Sequence, residues 1–570
     1  MRQNPREGKD VITTNIANFF TQHFAEPARV LHRHCSHGEW QDVTVADVRG
    51  YAERWQQAFR REGLVAGDRV VVATRNGTFW VSIDLAALGL GLVVVPLYVD
   101  DNPDNVAWCA HNADARLFIA DSTCMADALT ELAGKYPLPR LLVLRADDGD
   151  ARSVEHFLPA DAPAFECRAL EPQTLATICY TSGTSGLPKG VMLSHANIVA
   201  NVEQCRATGL ARADDLFLSI LPLSHMFERT GGYYLPLAIG ARVAYSRGIA
   251  QIPRDLVSQS PTAMFAVPRI FERFLAKVRD ALAKSPPWKV RLFDTCVARG
   301  YRVASGHSTL VDRISVPLLR ALVAKPVLAR LGGRMRVAVV GGAALDPVMA
   351  RTFIGLGLTV LQGYGMTEAS PVISVNLGRD NIPESVGPAL PGVEVKVGDN
   401  GELLARGGNV MLGYWRNEEA SRASLSDDGW LQTGDIAQII DGHIYIRGRA
   451  KDILVMSNGE KVSPQDAELA ILQDPAFEQV MLVGEGKPYP ILLAVSAETD
   501  EKALQRRAND QLKAFPRWVR VRHVIATRDP WTVDNGLLTP TQKLKRPVVQ
   551  ARFQPAIEAA YSAPADRDPA

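Results

Sequence analysis

Short, almost uniformly apolar runs recur along the chain: RVVVAT (69–74), LVVVPLY (92–98), RLFIAD (116–121), LLVLR (141–145), LATICYTS (175–182), LFLSILPL (216–223), RVAYS (242–246) and AMFAVP (263–268). Runs of this kind read as strands buried on both faces. Helical patterns lie between many of them. Over Thr44 to Gly63, for example, Val45, Val48, Tyr51, Ala52, Trp55, Ala58 and Phe59 recur at helical spacing. Strand–helix alternation predicts parallel βαβ units and an α/β fold. The pattern resumes at MRVAVVGGA (335–343) and LTVLQGYGMTE (358–368). A helical stretch over about 270–331 comes before it, with Ile270, Phe271, Phe274, Leu275, Val278 and Leu282 as its apolar positions and Lys and Arg elsewhere.

From about residue 386 the texture changes to short alternating strands, VEVKVGDNGELLARG and GHIYIRGRAKDILVMSNGEKVSP, with Asn458-Gly459 as a hairpin signal. A helix from Gln465 to Leu472, a hairpin around GEGKP (484–488), a charged helix (501–514) and the strand RVRHVIAT (520–527) follow. The expected organisation is a large N-terminal domain, 1–447, of mostly parallel sheets flanked by helices, with the helical insertion at about 270–331. A smaller, mobile α+β C-terminal domain, 448–570, is expected after a boundary near Arg447–Asp452, and the tail SAPADRDPA is expected to be disordered.

Composition removes several function classes. Lys and Arg number 63 against 62 Asp and Glu, so no bulk charge draws the chain to nucleic acid. Seven cysteines scattered from Cys35 to Cys296 without a CxxC read as reduced thiols of a cytoplasmic protein. MRQNPREGKD lacks the apolar run of a signal peptide. Val81 to Val99 is the longest apolar run, but Asp84, Gly89, Gly91 and Pro96 interrupt it, which suits a helix followed by a strand rather than a membrane span. His32, His34, Cys35 and His37 cluster, and an exposed loop accounts for them better than a metal site.

The segment Tyr180 to Gly190, YTSGTSGLPKG, holds four Ser and Thr hydroxyls, three glycines and one lysine, Lys189, directly after an apolar strand. Glycines let backbone N–H groups approach an anion, hydroxyls donate to phosphate oxygens, and the lysine adds charge. A Ser/Gly surface loop is the ordinary reading of such composition; its place after a buried strand favours an anion cradle. The GxxxxGK[ST] spacing is absent, as are GxSxG and GxGxxG.

Eight segments in order, YTSGTSGLPKGVMLSH (180–195), LPLSHMFER (221–229), VGGAAL (340–345), GYGMTE (363–368), GPALPGVEVKV (387–397), LQTGDIA (431–437), GHIYIRGRAKDILVMSNGEKVSP (442–464) and LLTPTQKLKR (537–546), resemble the adenylate-forming acyl-CoA synthetases of the AMP-binding superfamily. The resemblance covers about 15–560. It implies activation of a carboxylate with ATP to acyl-AMP and pyrophosphate, then attack by a thiol, usually that of CoA. It implies that Thr181, Ser182, Gly183, Thr184, Ser185, Gly186 and Lys189 cradle the β- and γ-phosphates, and that Thr367 and Glu368 serve the α-phosphate and Mg2+. Gly341, Gly342 and Ala343 match the adenine turn, with Tyr364, between Gly363 and Gly365, covering the other ring face. Asp435 matches a ribose ligand and Arg449 a second ribose or hinge contact; a solvated salt bridge stays open for both. His225 matches a position lining the acyl site, with a structural role as the alternative. Lys543 matches the catalytic lysine, although Lys543, Lys545 and Arg546 also read as a basic solvated tail. Lys451 matches the hinge, and Gly459 the glycine beside which pantetheine passes.

LPLSHMFER, the 270–331 stretch and the NGEKVSP to LKR ending resemble the long-chain fatty acid branch. Phe227, Tyr233, Tyr234, Phe265 and Val267 are candidate walls of an acyl tunnel, or ordinary core. The expected ligands are a fatty acid, ATP, Mg2+ and CoA; peripheral membrane contact and a homodimer stay open. A fatty acyl-AMP ligase serving a carrier protein, and a catalytically silent acyl- or nucleotide-binding protein, are the alternatives.

Overall fold

The computed structural model describes residues 15–36, 38–181, 187–378, 380–533, 535–539 and 543–562. His37, Ser182 to Gly186 and the tail beyond Ser562 lie outside the described residues. The chain divides into two compact units, one running to Glu394 and including Ala405–Leu431, the other made of Val395–Leu404 and the chain from Gln432 onward.

The first unit holds an eight-stranded and a seven-stranded sheet. In the eight-stranded sheet, Thr359–Gly365, Val337–Val340, Ala263–Ala266, Leu216–Ser219, Arg242–Tyr245 and Val30–Ser36 run parallel. Antiparallel strands, Val372–Val375 and Glu39–Thr44, close its edges. Leu218, Ala244, Met264, Ala266, Ala338, Val340 and Val360 meet Phe271, Leu275, Met349 and Phe353 of the covering helices in one buried cluster. The apolar runs are thus buried because helices cover the strands, as parallel βαβ units require. In the seven-stranded sheet, Leu175–Thr181 turns back antiparallel into Lys189–Ser194, so the Gly-rich segment joins two hydrogen-bonded strands with Thr181 and Lys189 facing each other.

Local chemistry sets the helix ends. Thr44 and Asp47 form a reciprocal capping box on Val45–Arg61, as Ser194 and Asn197 do on His195–Ala207. Helix Thr78–Leu90 stops at Gly91, whose φ of 77° is open to glycine at little cost. The 270–331 stretch becomes helices Pro268–Ala283, Pro287–Ala304 and Leu310–Leu319, the last passing through a π turn, Arg320–Ala324, into Lys325–Leu328. Among the described residues no helix is long and apolar enough to cross a membrane.

The histidine cluster is not an exposed loop. His32, His34 and Cys35 sit on strand Val30–Ser36, held between Arg242–Tyr245 and Glu39–Thr44. His32 Nε2 and His34 Nδ1 both meet Thr78 Oγ1 at 2.9 Å. One hydroxyl has a single proton, so one ring accepts and the other donates. Burial, helped by the His34 charge, lowers the His32 pKa to about 3, so its ring is neutral.

In the second unit, Gln479–Val483 pairs antiparallel with Ile491–Val495, which pairs parallel with His523–Thr527. Helices Pro464–Ile471 and Glu501–Gln511 cover one face of this sheet, and Arg546–Ser562 packs with Met481, Ile491 and Leu493 through Val549 and Ile557.

Candidate active site

Four motifs leave parallel strands of the eight-stranded sheet at the same end. Leu216–Ser219 leads to His225, Ala263–Ala266 to Val267, Val337–Val340 to Gly341 and Gly342, and Thr359–Gly365 to Thr367 and Glu368. The carboxyl ends of parallel strands are where open α/β sheets bind ligands, because the connecting loops diverge there.

The glycines are required by close approach. A Cβ on Gly341 would stand 3.0 Å from the Phe227 ring and 3.4 Å from the Gly363 carbonyl oxygen. Gly342 has φ +81°, with Val267 nearby. Gly341 is buried, whereas Gly342 and Ala343 are exposed, so the turn presents backbone outward. Tyr364 is half-buried and pairs across the strands with Ser374. A Cβ on Gly365 would fall 1.9 Å from the Pro371 carbonyl oxygen, which no backbone neighbour tolerates. Gly365→Ala is therefore expected to destabilise the first unit by about 1–3 kcal/mol through overpacking. An unchanged thermal midpoint would contradict this.

Glu368 lies buried in the short turn Thr367–Ala369. Its Oε1 accepts the Tyr414 hydroxyl at 2.8 Å. Lys189 Nζ stands 5.2 Å from the centre of the Tyr414 ring, a cation–π distance. The turn itself is clamped: Met411 N–H donates to the Glu368 carbonyl (2.9 Å), Asn409 Nδ2 to Ala369 O (2.9 Å) and Thr230 Oγ1 to Ser370 O (2.9 Å). Lys189, Glu368 and the segment after His225 are far apart in sequence and joined here. Tyr414 and Asn409 carried no sequence signal, since a lone Tyr or Asn outside a spaced motif has none.

His225 caps a short helix. Its Nδ1 accepts the Phe227 N–H at 3.1 Å, so the neutral ring carries its proton on Nε2. Phe227 meets Phe265 edge to face, with centres 5.4 Å apart, beside Gly341. Tyr234 is engaged elsewhere: its hydroxyl donates to Asp84 Oδ2 at 2.9 Å inside the core. The same Asp84 pairs with Arg229, which also donates to Thr177 Oγ1 at 2.9 Å and lies over the rings of Trp80 and Tyr234. This buried cluster ties the LPLSHMFER segment to the strand that feeds the Gly-rich segment. In the sequence Asp84 shows only as an interruption of an apolar run.

Glu228 is buried, and neither carboxyl oxygen has a hydrogen bond of good geometry. Burial pushes its pKa from 4.5 up to about 8, against the opposing pull of nearby Ser219 and the Leu221 and Ile220 amides. The native state thus keeps a proton that the unfolded chain releases between these values. Stability from this position is intact below 4.5 and is lost as pH rises toward about 8. Glu228→Gln keeps the shape and cannot ionise. The fall in Tm from about pH 5 to about pH 8 should become shallower in this variant, and parallel slopes would contradict the assignment.

The remaining candidates belong to the second unit. Asp435, on Leu431–Ile440, faces Arg449 across the strand pair, with Oδ1 3.2 Å from Arg449 Nε. The salt bridge is present, but Asp435 is buried and only Arg449 is solvated. Lys451 lies exposed in the turn that follows. Gly459 turns the hairpin between Leu454–Val455 and Lys461–Val462 with φ +83°, and a Cβ there would meet nothing within 4 Å. Lys543 is exposed, and its segment is no loose tail. Thr539 and Lys543 clasp each other, Lys543 N–H to Thr539 Oγ1 at 3.0 Å and Thr539 N–H to Lys543 O at 2.8 Å. Arg546 grips Glu468 with two bonds of 3.0 and 2.6 Å.

Residues 21–415 match the family described as AMP-binding enzyme, and 451–565 match the AMP-binding enzyme C-terminal domain. The chain is 31% identical to long-chain-fatty-acid–CoA ligase FadD15 of Mycobacterium bovis, over 96% of this chain and 97% of that one. It is 30% identical to the peroxisomal long chain acyl-CoA synthetase 7 of Arabidopsis thaliana, over 93% of this chain and 83% of that one. Among solved structures, ATP-bound MatB from Rhodopseudomonas palustris shares the fold with a TM-score of 0.74 at 23% identity, covering 95% of this chain and 99% of that one. The chain belongs to the AMP-binding, adenylate-forming enzymes, near their long-chain fatty acid–CoA ligase branch.

Proposed function

We propose that the chain converts a long-chain fatty acid to its CoA thioester in two steps. A carboxylate oxygen attacks the α-phosphorus of ATP, the bond to the β-phosphate oxygen breaks, and pyrophosphate leaves. The sulfur of CoA, having lost its proton, then attacks the acyl carbonyl, and AMP leaves. The observation that carries this reading is the Lys189–Tyr414–Glu368 chain, which joins the phosphate-type segment to the GYGMTE turn.

The roles follow from chemistry. Thr181 and Lys189 flank the segment that takes the β- and γ-phosphates, and Thr367 donates at the α-phosphate. Gly341, Gly342 and Ala343 offer backbone to adenine, Tyr364 covers the ring, and Asp435 accepts from ribose hydroxyls. Glu368 is a hard oxygen donor on a clamped turn and suits Mg2+, which when bound neutralises phosphate charge. His225, with its proton on Nε2, faces the carboxylate end of the acyl group, and Phe227, Phe265 and Val267 give that site apolar walls. Lys543 supplies the cation of the first step. The C-terminal domain, 448–570, then turns about Lys451 and brings Gly459 to the pantetheine path.

A pyrophosphate-release screen over saturated acids of increasing length, with and without CoA, tests the proposal. Turnover should rise from short to long acids and require ATP, Mg2+ and CoA. Equal or better turnover of acetate or benzoate would contradict it.

A further inference from the structure

The helical insertion carries a surface that the adenylation chemistry leaves unused. Thr309 and Asp312 cap helix Leu310–Leu319, which continues through Arg320–Ala324 into Lys325–Leu328. Its inner face is packed: Leu319 and Ala324 join Val278, Phe293, Cys296 and Leu356. Asp312 is buried too, gripped by Arg302 at 2.6 Å. The outer face is equally apolar and stands in the open. Leu310, Ile314, Leu318 and Leu322 are 74%, 71%, 64% and 60% exposed, each four residues from the last, with Val311 beside them. At 1.5 Å per residue they form one row of about 18 Å.

The charge around that row has one sign. Between residues 305 and 334 the only acid is the buried Asp312, while Arg313, Lys325, Arg330 and Arg334 are exposed. The whole segment 268–334 holds fourteen Lys and Arg against four Asp and Glu, in a chain whose totals are 63 and 62. A second copy of the same face would bring cation against cation. An anionic bilayer satisfies both features, since the acyl boundary takes the aliphatic row and the headgroups take the cations.

We propose that this helix docks the protein on an anionic lipid surface, with Leu310, Ile314, Leu318 and Leu322 in the acyl boundary and Arg313 and Lys325 at the headgroups. The test is flotation of the full chain, without substrates, on vesicles of phosphatidylcholine alone and of phosphatidylcholine with phosphatidylglycerol. Binding should favour the anionic vesicles and weaken with salt. Ile314→Glu with Leu318→Glu should weaken it by about tenfold or more at unchanged Tm, since Glu suits an exposed helix. Arg313→Glu with Lys325→Glu keeps the apolar row and should lose the preference for anionic vesicles. Absence of wild-type binding to anionic vesicles, or equal binding by both variants, would overturn the proposal. So would a wild-type dimer that the first pair turns into monomer. No nucleotide or acid is present, so failure here is separate from failure of the acyl-activation reading.

Discussion

Lys543→Ala is expected to slow acyl-adenylate formation by on the order of 10²–10³ while largely sparing thioester formation from preformed acyl-adenylate. Negative charge builds at the α-phosphate only while the carboxylate attacks ATP, so a cation placed there acts in one half-reaction. The clasp between Thr539 and Lys543 uses the Lys543 backbone, Leu538 bridges Leu544, and Arg546 holds Glu468. None of these needs the Lys543 ammonium, and alanine keeps all of them. Two assays decide the point: acid with ATP, and acyl-adenylate with CoA. Matched losses would give Lys543 a role in both steps or in the fold, and full activity in both would leave it a surface cation.

The largest expected stability effect lies at Arg229. Arg229 and Asp84 are both fully buried. Burial works against the Arg229 charge, but the Asp84 carboxylate beside it more than offsets this, and the net pKa is raised. Arg229→Met removes the cation and leaves the Asp84 carboxyl buried without its charged partner, with the Tyr234 hydroxyl still donating to it. Stranding one member of a buried pair costs about 3–5 kcal/mol. Asp84→Leu with Arg229→Met removes both charges, and should recover most of the loss, because two apolar chains pay no desolvation penalty. Thermal unfolding of the two variants measures the difference. Equal destabilisation by the single and the double variant would show that the Arg229 stem and its ring contacts, not its charge, hold this region.

The sequence made the sheets legible because parallel strands covered by helices must be apolar on both sides, which leaves runs such as RVVVAT and RLFIAD in plain view. The candidate site was legible where several special residues fall close together, as around Gly341, Gly365 and Glu368. Its supports were not. Tyr414 reaches Glu368 across 46 positions and Thr177 reaches Arg229 across 52, and no local pattern marks such partners. The His32–His34 stretch differs from the expected loop because polar residues on a strand look like a loop when their shared partner, Thr78, is far away in sequence. Lys545 and Arg546 looked like a solvated tail for the same reason: Glu468, which binds Arg546, lies 78 residues earlier.

The proposed reaction needs one chain both to form an acyl-adenylate and to hand the acyl group to CoA. Mass spectrometry of the protein incubated with hexadecanoate, Mg2+ and ATP but no CoA should detect bound hexadecanoyl-AMP and an equivalent of pyrophosphate. Adding CoA should then release AMP and hexadecanoyl-CoA in equal amounts. Acyl-adenylate that forms but persists in the presence of CoA, or no acyl-adenylate with any acid, would contradict the two-step reaction.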